Sequence, residues 1–412
     1  MRITQACFRF AAPGGAEEHV FQISREMARR GHDVTVHASD VLTETPWRRG
    51  RWPMNEVVDG VNVLRHKAYI RPFTRRWSML VIPDMVSGLL KEDCDLYHAH
   101  SHRYFQLEAA TSAARVAGKP LVITPHYHPA EEKETLRTKI MLRLYDLYSS
   151  GSIYRYSGRV LTMTDLEKRF MASMVPPDRC VTVGAGIDPA EWSDIPSPEL
   201  FRKHACIEGR YLLYCGRLAS NKGLGMLIDS LPAVLKCFEG DMVLIGKDWG
   251  IKAQLEQQVR SLGIEKRVRF IDFIPDRELY KSALAGCEML VLPSQWEAFG
   301  IVLLEAGMCR RPVVATAVGG VPEVVDHGKT GLLVPYGSPG ALSGSINELL
   351  KDDSIRKKMG EGARMAVLAK HTWPRVVDRI LEAYQEALGK TALGGHALNG
   401  GAVGIRNVGA EK

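Results

Sequence analysis

The chain has 412 residues, of which 45% are hydrophobic and 25% are charged, so it is a globular protein long enough for two domains. Its net charge of +7 is dispersed, without a zinc-finger spacing or an arginine-rich arm, and nucleic acid is therefore not expected as a partner. The eight cysteines form no CxxC pair, which predicts reduced thiols and a cytoplasmic location. The sequence predicts neither a signal peptide nor a membrane-spanning helix.

The first predicted elements are a strand, a glycine turn, a helix and a second strand. They cover residues 3–8, the turn Pro13-Gly14-Gly15, and residues 16–30 and 34–38. This succession is typical of a βαβ unit. The turn lacks the G-x-G-x-x-G pattern, so NAD is not inferred. The glycine pair either makes a tight turn or lets a ligand approach the backbone amides.

Residues 47–77 are basic and aromatic and are predicted to be irregular. One interpretation is a solvated loop region. The other is a surface for an acceptor or a membrane, since basic and aromatic side chains together suit an anionic interface. The residues concerned are Trp47, Arg48, Arg49, Arg51, Trp52, Arg65, Lys67, Arg71, Phe73, Arg75, Arg76 and Trp77.

Histidines end the next two predicted strands. They are His98, His100, His102, His126 and His128. A metal site is one interpretation, but a His-x-His pattern without a carboxylate pair supports it weakly. We therefore expect at least one of these histidines to line a polar cleft.

A polar, proline-spaced segment ending near Pro198 predicts a linker, after which strands and helices alternate again. Alternation of this kind predicts a second parallel, doubly wound sheet. Its strands are predicted at 210–215, 241–246, 268–273, 288–293, 312–317 and 331–335. Helices are predicted at about 340–350 and 354–369, followed by a final amphipathic helix over 373–388. The glycine-rich tail beyond it predicts disorder.

The stretch Glu297–Glu305 follows an apolar strand and leads into a helix that is predicted to begin near Phe299. Free amides at a helix start suit an anion or polar oxygens. Glu305 lies among apolar residues, where a carboxylate is rare unless something pairs with it. Two interpretations stay open at this point. Either Glu305 forms a salt bridge and Glu297 caps the helix, or both acids bind a ligand.

A second polar loop, Gly216–Gly223, follows the first strand of the second half. Arg217 offers a rigid fork of donors and Lys222 a flexible point charge, a combination that suits a diphosphate. Because parallel strands end at one edge of a sheet, we expect this loop to open beside the loop that carries Glu297.

Together these residues resemble the retaining glycosyltransferases of family 4, which have the GT-B fold. The resemblance covers roughly residues 3–388 and includes the EX7E motif formed by Glu297 and Glu305. The segments that carry it are Gly14–Glu17, His98–Ser101, Gly186–Asp188, Gly216–Gly223, Glu297–Glu305, Gly319–Glu323 and Gly331–Val334.

The resemblance implies an α/β protein with two Rossmann-like, doubly wound parallel-sheet domains that face a cleft. Residues 1–190 would form the acceptor-side domain, and residues 206–370 would bind the nucleotide sugar. A linker at 191–205 would join them. A helix at 371–389 would pack back on the N-terminal domain. The disordered tail at 390–412 is predicted from its glycine-rich composition and not from the resemblance.

The resemblance also implies roles for individual residues. Arg217 and Lys222 would hold the donor diphosphate, and Glu305 would accept hydrogen bonds from the ribose. The implied catalytic residues are His126 and Glu297. The implied donor-binding residues are Gly15, Arg217, Lys222, Phe273, Ile274, Phe299, Gly300, Ile301 and Glu305. The resemblance implies no metal and no cofactor.

The function implied is that of a metal-independent, retaining hexosyltransferase of glycan biosynthesis. It would move a sugar from a UDP- or GDP-sugar to an acceptor hydroxyl. The basic and aromatic stretch at 47–77, rather than the resemblance, makes a lipid-linked or phosphorylated acceptor the hypothesis, with a sugar acceptor also open. Peripheral contact with the inner face of a membrane is compatible with the basic stretch. The alternatives are a nucleotide-sugar epimerase on the same fold and a non-catalytic nucleotide-sugar-binding subunit.

Overall fold

The computed structural model describes residues 1–12, 14–44, 47–72, 78–127 and 135–394, with side chains described outside 43–47, 70–79 and 390–394. Some predictions concern residues or side chains outside this part of the chain. They are those for Pro13, Trp47, Arg71, Phe73, Arg75, Arg76, Trp77, His128 and the tail 395–412.

The chain divides into two compact units. Unit 1 contains Met1–Thr162, Phe170–Val181 and the chain from Val377 onwards, and unit 2 contains Met163–Arg169 and Thr182–Val376. Each unit is built on a largely parallel sheet with helices, so the predicted α/β class is confirmed.

Eight strands of unit 1 form one sheet in the order β12-β11-β10-β9-β1-β2-β6-β5. In this sheet β1 pairs in parallel with both β2 and β9, so the strand order reverses beside β1. The central strands β9 and β10 are buried along their whole length, as expected for a sheet covered on both faces. The bounds in this sheet are β1 Arg2–Ala6, β2 Asp33–Ser39, β5 Asn55–Val58, β6 Val61–His66, β9 Leu96–His100, β10 Leu121–Thr124, β11 Arg159–Thr162 and β12 Cys180–Thr182.

Two small hairpins and the helices α1 to α5 lie between β1 and β12 along the chain, and most of α5 belongs to unit 2. The hairpins are β3 Val41–Glu44 with β4 Trp47–Arg49, and β7 Tyr69–Pro72 with β8 Ser78–Val81. The helices are α1 Gly15–Arg29, α2 Pro83–Leu90, α3 Phe105–Ala117, α4 Leu136–Ser149 and α5 Asp165–Met171. Helix α4 was not predicted from the sequence.

The prediction of irregular structure for residues 47–77 is wrong where the structure describes them, because β5 and β6 form a hairpin in the large sheet. Asp59 and Gly60 connect these strands with φ angles of 49° and 82°. Two such residues in succession are the signature of a two-residue hairpin turn. The Asp-Gly pair was the signal that the sequence analysis missed.

The same stretch also uses basic residues as internal structure. The side chain of Arg65 is buried, forms an ion pair with Glu56 and lies 5.1 Å from the ring of Trp52. Arg49 donates a hydrogen bond of 2.8 Å to the carbonyl oxygen of Ala68. A high count of arginines therefore does not by itself mark a free basic surface here.

Six parallel strands of unit 2 form a sheet in the order β15-β14-β13-β16-β17-β18. The chain moves outward on one side of β13 and then returns to continue on the other side, which is the doubly wound arrangement. Loops after β13 and β16 therefore leave the sheet at its point of reversal. The strand bounds are β13 Arg210–Cys215, β14 Gly240–Ile245, β15 Val268–Ile271, β16 Leu290–Leu292, β17 Val313–Thr316 and β18 Gly331–Val334.

Helices connect these strands and finish the chain. They are α6 Pro198–Ala205, α7 Leu224–Leu235, α8 Lys252–Ser261, α9 Arg277–Gly286, α10 Ile301–Met308, α11 Val321–Val324, α12 Pro339–Lys351, α13 Asp353–Lys370 and α14 Trp373–Gly394. Residues 191–205, predicted as a linker, include α6, whose Phe201 is buried and bonded through its backbone to Ser282 of α9. Here the backbone N–H of Phe201 is the donor and the Ser282 hydroxyl accepts.

Helix α14 changes unit along its length, since it begins in unit 2 and continues in unit 1 from Val377. Its Tyr384 is buried and forms a hydrogen bond of 2.6 Å with Nδ1 of His98. Arg159 of β11 donates to Glu386 at 2.7 Å. The helix also extends past the predicted end at Leu388.

All eight cysteines lie in the described part of the chain and are free thiols. Across the described residues, none of the helices combines the length and the apolarity that crossing a bilayer requires.

Candidate functional site

The loops after β13 and β16 are joined at the reversal point of the unit 2 sheet. The backbone N–H of Gln295 donates to the carbonyl oxygen of Asn221 at 3.0 Å. Gly223 has a φ of 64°, and an added Cβ would lie 1.9 Å from the carbonyl oxygen of Pro293. Only glycine permits both this backbone conformation and this approach, so the two loops are fixed against each other.

This junction brings two predicted site residues into direct contact. Nζ of Lys222 lies 2.6 Å from Oε2 of Glu297, and both side chains are largely shielded from solvent. A short charge-assisted hydrogen bond of this kind is stronger than a neutral one. The expectation that the two loops open side by side is met in the structure.

The Gly-Gly-Val-Pro-Glu segment positions Glu297 through its backbone. The N–H of Gly320 donates to the carbonyl oxygen of Glu297 at 2.9 Å. Gly319 has a φ of 57°, and an added Cβ would lie 1.8 Å from that same oxygen. At the end of the segment, Glu323 accepts hydrogen bonds from the amides of Asp165 and Leu166.

Arg217 lies in the same loop as Lys222, but its side chain makes a different contact. Its guanidinium lies 4.7 Å from the ring centre of Trp249, and Tyr214 donates its hydroxyl to the Arg217 carbonyl at 2.8 Å. Trp249 is 59% exposed. Stacking of a guanidinium on an aromatic face leaves its N–H groups at the edge available for an anion. The sequence analysis did not identify Trp249.

Glu305 is buried and accepts hydrogen bonds from two residues that the sequence analysis also missed. Nη1 of Arg277 donates to one carboxylate oxygen at 3.1 Å, and the Tyr280 hydroxyl donates to the other. Both donors lie on α9, three residues apart, and thus on one face of that helix. Burial, reinforced by the charge of Glu305, raises the pKa of Tyr280 well above its usual value.

Arg277 is itself held between aromatic rings. Its guanidinium lies 4.9 Å from the ring centre of Trp192 and 5.5 Å from that of Tyr280. The sequence allowed a salt bridge at Glu305 as one interpretation, but only the tertiary structure shows that Arg277 is the cationic partner. Of the two interpretations of Glu305, the salt bridge is present in this structure.

The remaining predicted donor residues lie in loops and at a helix start. Helix α10 begins at Ile301 rather than at Phe299, because Gly300 has a left-handed φ of 85° and serves as the N-cap. Phe299 is buried against the ring of His371. Phe273 is exposed and Ile274 is buried, both between β15 and α9. Strand β15 ends at Ile271, before the predicted end at Phe273.

In unit 1 three histidines form a cluster. Ring nitrogens of His19, His100 and His126 all lie within 4.8 Å of one another. The side chain of Gln5 orients one of them, because its Oε1 lies 3.1 Å from Nε2 of His100. His126 follows β10 and has a φ of 46°, which is strained for a residue with a side chain. His19 was not among the predicted residues.

Gly15 is the first residue of α1, and an added Cβ there would meet no atom within 4 Å. An open position at a helix start suits the approach of an anion. Gly15 directly follows the loop after β1, the strand beside which the order of the unit 1 sheet reverses.

His98 and His102 have structural partners in unit 1. His98 bonds to Thr124 on one side of its ring and Tyr384 on the other, and burial lowers its pKa to about 3. Nε2 of His102 lies 2.9 Å from Oδ1 of Asp146 on α4. Neither histidine is therefore a strong candidate for chemistry.

The cluster of His19, His100 and His126 has the nitrogen ligands and the spacing that could hold a metal ion. It contains no carboxylate, and one ring nitrogen of His100 is used by Gln5. The prediction that no metal is required remains a prediction.

Comparison with known proteins adds family information to this geometry. Residues 13–191 match the family model described as Glycosyltransferase Family 4, and residues 197–366 match the model described as Glycosyl transferases group 1. The two models together account for most of the chain.

Two curated relatives are similar over nearly the whole chain. Phosphatidyl-myo-inositol mannosyltransferase of Mycobacterium leprae is 28% identical, with 93% of this chain and 96% of that protein covered. D-inositol 3-phosphate glycosyltransferase of Acidothermus cellulolyticus is also 28% identical, with 91% of this chain and 86% of that protein covered. Both names describe transferases, which does not favour the epimerase or binding-subunit alternatives.

The fold is likewise similar to that of solved glycosyltransferases. The crystal structure of Anabaena HepE in complex with UDP matches with a TM-score of 0.74 at 22% identity, covering 93% of this chain and 100% of HepE. The predicted GT-B class is thereby confirmed. The chain belongs to the glycosyltransferases, with a family 4 domain followed by a group 1 domain.

Proposed function

We propose that this glycosyltransferase moves a hexosyl group from a UDP- or GDP-sugar to a hydroxyl of a phosphorylated or lipid-linked acceptor. The transfer would retain the configuration of the anomeric carbon and would need no metal ion. The observation that carries the proposal is the ion pair of Lys222 and Glu297, in loops at the reversal point of the unit 2 sheet. Ligands of doubly wound proteins bind at such points.

In the proposed reaction the bond between the anomeric carbon and the diphosphate oxygen breaks. The acceptor hydroxyl oxygen then bonds to the same face of that carbon, and its proton passes to the departing phosphate oxygen. The departing diphosphate gains negative charge, which Lys222 and Arg217 would stabilise. Stacking on Trp249 restrains the Arg217 side chain, and this supports the proposed role.

The two acids would have separate tasks on the donor. Glu297 would orient the sugar together with the amides at Phe299, Gly300 and Ile301. Glu305 would accept hydrogen bonds from the ribose hydroxyls. Its two oxygens have about four lone-pair positions, and Arg277 and Tyr280 each use one. Two positions remain for a ribose diol.

Phe273 and Ile274 would contact the base, since they lie in the loop before α9, the helix whose Arg277 reaches Glu305. For unit 1 the proposal keeps the roles that the family resemblance implies. Gly15 would approach the diphosphate, and His126 would act near the transferring sugar.

The names of the relatives support the acceptor class. One is named for phosphatidyl-myo-inositol, a phospholipid, and the other for inositol 3-phosphate, a phosphorylated polyol. In both, a phosphate accompanies the hydroxyl-bearing ring. We therefore place phosphorylated inositols and their lipids first among the acceptors to be tested.

The test is a matrix of UDP- and GDP-hexoses against free inositol phosphates and phosphatidylinositol, read by product mass and nucleotide release. Nucleotide release that depends on the acceptor, with a product heavier by one hexose, supports transfer. An isomerised sugar without an acceptor would indicate epimerisation. Tight nucleotide binding without any turnover across the matrix would indicate a binding protein and would contradict the proposal.

Metal independence has its own test. Transfer after exhaustive treatment with EDTA is expected to match that of the untreated protein. Loss of transfer that zinc or magnesium restores would contradict this part of the proposal, and the cluster of His19, His100 and His126 would then be the first place to examine.

The proposed location is the cytoplasm, with contact at the inner face of a membrane. The eight free thiols support a reducing compartment, since paired cysteines are the rule in oxidising ones. Fractionation of cells that express the tagged protein would test this location, and recovery from an extracytoplasmic fraction would contradict it.

A further inference from the structure

Helix α4, Leu136–Ser149, presents an apolar face to solvent. Leu136 and Leu147 are 74% and 71% exposed, and three further large side chains of the same helix are also exposed. These three are Ile140, Leu144 and Tyr148. At about 100° per residue the five positions fall within an arc of roughly 120°. An exposed apolar stripe of this kind marks an interaction surface.

Polar contacts on the opposite side of α4 fix which face is exposed. Asp146 accepts hydrogen bonds from Arg103 and lies 2.9 Å from Nε2 of His102. Tyr145 donates its hydroxyl to Glu108 of α3. Because these bonds are made on the inner side, the helix cannot turn its apolar stripe inward without breaking them.

The charges on the exposed side indicate the kind of partner. Arg137 and Arg143 are both exposed. At about 100° per residue Arg137 lies within the apolar arc and Arg143 lies just outside its edge. The one acid of the helix, Asp146, faces inward in the network described above. A helix with exposed leucines and arginines on the same side suits the interface of an anionic bilayer, where the apolar side chains enter and the long arginine side chains keep their guanidinium groups at the phosphates.

A second copy of the chain fits this surface less well. Most symmetric dimers bury the same patch of both subunits, which would bring the two arginines of one copy against the equally basic patch of the other. Like charges at an interface oppose association. Anionic lipid phosphates neutralise the same arginines, so the charge favours the membrane.

We propose that the exposed face of α4 docks unit 1 on an anionic lipid surface. This inference deepens the proposed function, since it would bring the enzyme to the membrane that holds a lipid-linked acceptor. Docking on lipid does not require sugar transfer, so the docking inference and the proposed function can each be refuted without the other.

The test is co-sedimentation of the full chain with vesicles of phosphatidylcholine mixed with phosphatidylglycerol, compared with phosphatidylcholine alone. Binding to the anionic vesicles is expected, with protection of α4 amides from hydrogen exchange. The double variant Leu144→Ser/Leu147→Ser should bind at least about tenfold more weakly, since each apolar side chain contributes strongly to partition. Arg137→Gln/Arg143→Gln should weaken binding by roughly tenfold at low salt.

The matched control is the double variant Val116→Ser/Met365→Ser, which removes side chains that are 75% and 67% exposed on other helices. It should bind vesicles like the wild type. Circular dichroism and the melting temperature of each variant establish that it folds. Equal vesicle binding by the Leu144→Ser/Leu147→Ser variant, or no binding by the wild type, would overturn the inference.

Analytical ultracentrifugation addresses the second copy. One outcome is that the wild type forms a dimer, that Leu144→Ser/Leu147→Ser abolishes this dimer, and that the wild type does not bind vesicles. This outcome would assign the surface to self-association and overturn the proposal. A leucine variant that loses vesicle binding but still glycosylates a water-soluble acceptor supports it. If the wild type docks through α4 and yet transfers no sugar, the proposed function fails while this inference stands.

Discussion

Nζ of Lys222 lies 2.6 Å from Oε2 of Glu297, although 75 positions separate the two residues in the chain. In this structure the ammonium group of Lys222 and the carboxylate of Glu297 neutralise each other. A donor diphosphate would compete with Glu297 for the ammonium group of Lys222. The carboxylate would then be released towards the hydroxyls of the sugar. On the proposed function, the ion pair would be the arrangement without substrate, and a bound donor would separate it, with Lys222 on the diphosphate and Glu297 on the sugar.

Replacement of Lys222 by alanine should lower kcat by about 100-fold or more, because a largely shielded cation that stabilises a developing charge is worth several kcal/mol. Initial-rate kinetics with the identified donor and acceptor provide the measurement. Lys252→Ala removes a lysine from an exposed pair on α8 and serves as the control. Rates within twofold of the wild type for Lys222→Ala would refute its assignment.

The variant Tyr280→Phe should weaken nucleotide binding with little change in kcat. It removes the hydrogen bond to one oxygen of Glu305 and leaves the fold intact, because the ring stays in place. Loss of one hydrogen bond to a carboxylate corresponds to roughly tenfold in affinity. Calorimetric titration with the nucleoside diphosphate measures the effect. Unchanged affinity in both Tyr280→Phe and Arg277→Ala would show that Glu305 does not bind the nucleotide.

Gly319→Ala is expected to impair turnover by displacing Glu297. An added Cβ would lie 1.8 Å from the carbonyl oxygen of Glu297, and the residue has a positive φ. Gly337→Ala is a matched control, because Gly337 also has a positive φ of 85° but would place its Cβ in open space. Both variants lose about 1 kcal/mol of stability because alanine disfavours a positive φ. A difference in rate or melting temperature between them therefore reports only the collision of the Cβ added at position 319 with the carbonyl oxygen of Glu297. Equal melting temperatures and equal rates would argue that the backbone contact is unimportant.

Unit 1 should lose stability as the pH falls below neutrality. Burial lowers the pKa of His98 to about 3, whereas the unfolded chain protonates it near 6.5. Between these values the unfolded state binds the extra proton, so stability declines as the pH decreases from 6.5 towards 3. One such histidine contributes a slope of up to about 1.4 kcal/mol per pH unit.

Urea unfolding between pH 7 and pH 4 measures this dependence. His98→Gln cannot titrate, so its unfolding free energy should vary less steeply with pH than that of the wild type. Parallel curves for the two proteins would contradict the assignment. His100 contributes in the same direction, because burial and the neighbouring histidines lower its pKa as well.

The sequence predicted most elements of unit 2 because its strands are continuous apolar runs separated by glycine turns. It was less successful for residues 47–77, where an Asp-Gly hairpin turn was obscured by the surrounding arginines. It also gave no prediction for α4, in which large apolar residues occupy the exposed side as well as the buried one. Periodicity indicates a helix best when the apolar face is the inner one.

By itself the sequence determined the class of fold and the resemblance to family 4 glycosyltransferases. It also determined that the basic loop Gly216–Gly223 lies beside the loop that leads into α10. These follow from local patterns, namely apolar runs, glycine positions and charged residues at strand ends. Only the tertiary structure decided which side chains meet. The partnership of Glu305 with Arg277 and Tyr280, the contact of Gly319 with Glu297 and the outward face of α4 all depend on packing between segments distant in the chain. No local pattern encodes such contacts, because they are set by the order in which the strands assemble into the sheet.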